Sequence, residues 1–185
     1  MRVLQDEGII LHNKSFFEKD RLVEVFLKSY GKVRFLYSRG SQMKSSYAGL
    51  LREFNCVSLN LQKGKSFYYL KSCQLSDGFS NLHSQYNALM LAYYFSDIVR
   101  SISVDEQPNI ALYDCLKKGL IQLSQNQGSL QSIQQFFEKN ILISEGLYDD
   151  TITDSLVFKQ ILMRYTGKPI NDPQFIKWVR FIFGI

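Results

Sequence analysis

The spacing of apolar residues changes once along this chain, near residue 80, and that change constrains the fold more than any single motif. Before it come short strand-like runs: the β-branched Gly8–Asn13, then Arg21–Leu27, and the period-two runs Val33–Tyr37, Phe54–Leu61 and Phe67–Leu75. Within Val33–Tyr37, Arg34 falls on one face of a strand, and Val33, Phe35 and Tyr37 fall on the other. Ser29–Lys32 reads as a turn in which Gly31 is free to take a positive φ. Gln62–Ser66 reads as a hairpin connection around Gly64. Such closely spaced strands, with no long crossover helix, predict a small barrel or sandwich.

After residue 80 the apolar positions recur at helical spacing. Leu89, Ala92, Tyr93, Ser96 and Val99 mark a first helix running through Arg100. Asn109 caps a second, whose stripe is Leu112, Leu116, Leu120 and Leu123. A third runs from about Leu130 to Ser144 and is closed by Gly146. A fourth carries Leu156, Ile161, Leu162 and Tyr165, and a short fifth covers 173–183. The expected architecture is α+β: a β-barrel domain over 1–79 and an α-helical bundle domain over 80–185.

Charge follows the same division. Residues 1–79 hold thirteen Lys/Arg against seven Asp/Glu, while residues 80–185 hold nine against ten, so the net charge of +5 comes from the first part. No acidic side chain occurs from 25 to 52, where Lys28, Lys32, Arg34, Arg39, Lys44 and Arg52 alternate with Tyr30, Phe35, Tyr37 and Tyr47. Cations neutralise phosphates and flat rings offer stacking surfaces, so this pattern suits a nucleic-acid backbone. Tyr68 and Tyr69 are adjacent in a strand, so one of them faces outward. The candidate DNA-binding residues are Lys32, Arg34, Tyr37, Arg39, Lys44, Lys63 and Lys65, converging on one concave track.

Other chemistry finds little support. Cys56, Cys73 and Cys115 form no CxxC pair and read as buried thiols in a reducing compartment. With only His12 and His83 beside them, a zinc site is not expected, and no cofactor is. No GxSxG, HExxH or GxGxxG occurs. Asp149, Asp150 and Asp154 resemble a carboxylate cluster for Mg²⁺, but acids at a helix start more often serve the helix dipole. No signal peptide or membrane-length apolar run is visible, which predicts a cytoplasmic protein with no membrane contact. A different class of function is an adaptor whose helical part binds an acidic peptide through Lys117, Lys118, Lys159 and Arg164, with Lys168 and Lys177 adding charge.

Three segments resemble the opening of the RecO family of bacterial recombination mediators: Glu7–Leu11, Glu18–Val23 and Tyr30–Arg34. Arg39–Ser45, Gly49–Phe54 and the Leu59–Leu75 hairpin are similar to that family's next blocks. Phe136–Lys139 and Glu145–Tyr148 resemble its Phe-Glu helix and Gly-Tyr exit. The resemblance implies an N-terminal OB-fold and a helical domain, and a role in DNA repair and recombination that is not enzymatic. It implies binding of single- and double-stranded DNA, strand annealing, and help in loading RecA onto coated strands. RecR and the C-terminal tail of single-strand-binding protein are the implied partners. Many members carry a four-cysteine zinc module after the Gly-Tyr exit. Here Asp149–Asp154 holds no cysteine, so the chain is either a zinc-free member or one with a reduced C-terminal part.

Overall fold

The computed structural model describes residues 3–17, 20–38, 47–150 and 155–167. Arg39, Lys44, Asp154 and the expected helix over 173–183 lie outside the described residues. The chain divides into two compact units. One comprises Met1–Gly78 with Ser103–Tyr113, and the other Phe79–Ile102 with Asp114–Ile185.

The first unit is a closed barrel of five strands in the order β1-β2-β3-β5-β4. The strands are β1 Val3–Phe16, β2 Asp20–Leu27, β3 Gly31–Ser38, β4 Cys56–Lys63 and β5 Tyr68–Asp77. Neighbours are antiparallel except β3 and β5, which meet in parallel at Phe35–Tyr68 and Leu36–Tyr69. β1 is long because it serves two neighbours, pairing with β4 over Val3–Ile9 and with β2 over Gly8–Phe16. Gly8 stands at the changeover. A Cβ there would lie 2.7 Å from both Leu27 Cδ2 and Val25 Cγ2. This is why the first strand begins its apolar run with glycine.

Alternation fills the barrel. Val23, Val25, Val33, Phe35, Leu59 and Leu61 are all buried in its core, as the period-two pattern requires. Gly31 takes φ +73 at the β2–β3 turn, as expected. The segment 103–113 returns to this unit. Glu106 N donates to Lys32 O at 2.9 Å, Tyr113 Oη donates to Glu7 Oε1 at 2.8 Å, and the Phe26 and Tyr113 rings lie 6.2 Å apart.

The second unit holds a 3-10 turn at Leu82–Ser84 and helices α1 Tyr86–Ile102, α2 Ile110–Ser124, α3 Leu130–Ser144 and α4 Ser155–Thr166, with α2 starting in the first unit. Asn109 Oδ1 accepts from Leu112 N at 3.0 Å, the cap expected for α2. α3 ends in a Schellman motif: Gly146 has φ +69, its N–H reaches Ile143 O, and Leu147 N reaches Leu142 O. Phe95 and Phe137 stack at 3.8 Å between ring centres. Gly119 makes room, since a Cβ there would meet Phe95 Cε2 at 2.9 Å. Glu138 is buried and accepts from Tyr94 Oη at 2.7 Å and Gln134 Nε2 at 2.8 Å. Among the described residues, no helix is long and apolar enough to cross a membrane.

Candidate nucleic-acid interface

β3 positions the first two expected cations. Its alternation sends Val33, Phe35 and Tyr37 inward and leaves Arg34 exposed. Tyr37 is 2% exposed, so it is a core residue and not a stacking surface as the structure stands. The basic neighbourhood suggested exposure, but strand parity decides against it. Parity also resolves Tyr68 and Tyr69: the first is 5% exposed and the second 49%.

The expected open cationic track is corrected more substantially. Lys32 is buried, its Nζ 2.9 Å from Ser103 O and 3.4 Å from Asp105 Oδ1. Arg34 Nη2 reaches Asp105 Oδ2 at 2.7 Å, and its Nε lies 3.5 Å from Glu24. Lys63 Nζ meets Glu106 Oε2 at 3.1 Å and sits 5.3 Å from the Tyr68 ring centre. Its pKa is raised, first by the hydrogen bond it donates to Glu106. Three of the expected cations therefore already hold carboxylates, two of them delivered by the returning segment. Lys65, on the β4–β5 hairpin, is exposed. A shallow cleft of about 140 Å³ lies beside these pairs, lined by Arg34, Ser66, Phe67 and Tyr68 among others.

The same hairpin carries a feature that the sequence reading missed. Phe67 lines the cleft on one side and meets Phe16 at 5.9 Å between ring centres on the other. Phe16 in turn packs edge-on against Phe17 at 4.6 Å. Phe17 is 79% exposed and holds φ +58, an uncommon backbone for an aromatic residue. A band thus runs from an exposed ring at the β1–β2 turn, through the β4–β5 hairpin, to Arg34 on β3. The Phe16–Phe17 doublet was the available signal, and only the fold brings Phe67 to it.

In the helical unit, Lys118 Nζ sits 4.6 Å from the Phe136 ring centre and Arg164 is exposed. Lys117 and Lys159 are half-buried. Burial lowers the Lys159 pKa to about 8, opposed by the Glu138 charge. The depressed value means that the unfolded chain binds more protons between about pH 8 and 10.5, so stability rises with pH across that window. Lys159→Gln is expected to remove that part of the rise, which thermal melts of both forms at pH 8 and 10 would check.

Burial pushes the Cys73 and Cys115 thiols up to about 12, which makes them poor nucleophiles at neutral pH. Asp149 and Asp150 are exposed. Among the described residues no group of three His, Cys, Asp or Glu side chains is placed to hold a metal ion.

A five-stranded closed barrel in the order β1-β2-β3-β5-β4, with β3 and β5 parallel, is an OB-fold. Residues 1–79 match the family described as recombination protein O N terminal. Three relatives agree, each a DNA repair protein RecO. That of Alkaliphilus metalliredigens is 26% identical over 78% of this chain and 59% of its own length. That of Acetivibrio thermocellus is 28% identical over 79% of this chain and 58% of its own. That of Syntrophus aciditrophicus is 25% identical over 97% of this chain and 64% of its own. Over residues 1–79 the chain is thus similar to the N-terminal domain of recombination protein O, and over most of its length to these RecO proteins. It spans less than two thirds of the length of these relatives.

Proposed function

We propose that this chain binds DNA in recombinational repair, acting by holding and pairing strands and not by catalysis. A single strand lies across the loop end of the barrel. Phe17 stacks a base, Phe67 backs it, and Lys65 with Arg34 and Lys63 meets the phosphates. Annealing then needs no catalytic residue, because cations lower the repulsion between two polyanions and base pairing supplies the driving force. Help in loading RecA, and contact with RecR and the tail of single-strand-binding protein, belong to the same reading. The observation that carries it is an exposed aromatic ring, Phe17, linked through Phe16 and Phe67 to a cleft that Arg34 lines, on a barrel that matches the N-terminal domain of recombination protein O.

Phe17→Ala tests the base-stacking part. The expected outcome is about a fivefold to tenfold loss of affinity for an oligothymidylate, from roughly 1 kcal/mol or more per stacked base. The melting temperature should hold, since the ring is 79% exposed. Fluorescence anisotropy reads the affinity. Unchanged binding would remove Phe17 from the interface.

The adaptor reading takes some support from the carboxylates already on Lys32, Arg34 and Lys63. Replacing Lys32, Arg34 and Arg39 by Glu separates the two readings. Retained DNA affinity favours the adaptor, and lost affinity the strand-binding barrel.

A further inference from the structure

We propose that Asp105 and Glu106 are an internal substitute for phosphate groups. They occupy an anion seat formed by Lys32, Arg34 and Lys63, and a nucleic-acid strand enters that seat by displacing them. The inference rests on the strand-binding reading above and adds a self-competing device to it.

The two carboxylates are consecutive, and between them they engage all three cations, at 3.4, 2.7 and 3.1 Å. Glu24, 3.5 Å from Arg34, is the further acid at the seat. Their side chains are 53% and 48% exposed, so both can leave the cations for water without unpacking anything. The cleft between Arg34 and Phe67 opens directly beside them.

The segment that carries them does not need these ion pairs to stay docked. Its backbone is held by Glu106 N on Lys32 O, and Gly31 lies against the Gln107 backbone. Tyr113 anchors its far end through Glu7 and Phe26. Phosphates therefore compete with two side chains and not with a folded strap. Carboxylate and phosphate oxygens present the same charge-assisted acceptors to Arg and Lys. Exposed pairs of this kind are individually weak, so a multivalent polyanion can exchange them.

The test is D105N/E106Q, which keeps the shape and removes both charges. Affinity for an oligothymidylate at low salt is expected to rise about tenfold, with the gain shrinking as screening increases. D149N/D150N, on the helical unit, changes the net charge equally and controls for a general field effect. Adding R34Q/K63Q to D105N/E106Q should abolish the gain. A D105N/E106Q affinity no greater than that of D149N/D150N overturns the proposal while leaving strand binding intact. No binding by any form, the wild type included, overturns the strand-binding reading and this inference with it.

Should D105N/E106Q fail to fold, the wild type still decides. The ¹³C carboxylate resonances of Asp105 and Glu106 are expected to move as the oligonucleotide is added. Saturation with no movement of either contradicts displacement.

Discussion

Gly31→Val is expected to destabilise the protein by about 3 kcal/mol or more, lowering the melting temperature by roughly 10 °C. Two costs act together. Valine is β-branched and fits poorly at φ +73. Its Cβ would also meet the Gln107 backbone, which cannot swing aside like a side-chain tip. The strand turn and the returning segment therefore cannot both keep their places. Differential scanning calorimetry checks the magnitude. Hydrogen exchange over 103–113 checks the mechanism, because loss of protection there should exceed that in β4 and β5. Gly31→Ala keeps the same faults in smaller form and should fall between the two.

Glu138→Ala should cost about 3 kcal/mol through a different route. The carboxylate is 4% exposed, and its oxygen accepts from Tyr94 and Gln134. Truncation leaves two buried donors without that acceptor, at roughly 1–3 kcal/mol each before relaxation. Lys159 loses an opposing charge as well. Chemical denaturation measures the loss. Glu138→Gln, which keeps an acceptor oxygen, is expected to recover a large part of it. Equal losses for Ala and Gln would mean that the charge matters and the hydrogen bonds do not.

The sequence made the barrel legible because its strands are half-buried and therefore alternate. Helix ends were equally readable where a cap has a local cause, as at Asn109 and Gly146. Tyr37 shows information present but outweighed: its parity with Val33 and Phe35 already pointed inward, while its basic neighbours suggested exposure. The return of 103–113 to the barrel was not legible. Asp105–Pro108 reads locally as a break between helices, and the docking of its segment depends on Lys32 and Gly31, some seventy residues earlier in the chain. For the same reason, an acid-free stretch from 25 to 52 concealed that its cations take their carboxylates from elsewhere. Phe17 followed Phe16, but an outward ring on a positive-φ backbone has no period to announce it.

Affinity for single-stranded DNA against salt concentration tests the proposed role most directly. With Arg34, Lys63 and Lys65 meeting phosphates, the plot of log K against log salt should have a slope near −2, from about 0.7 per contact. Lys65→Glu with Phe17→Ala should weaken binding at every salt concentration. No binding at low salt, or binding indifferent to salt and to both substitutions, would contradict a strand held at this end of the barrel.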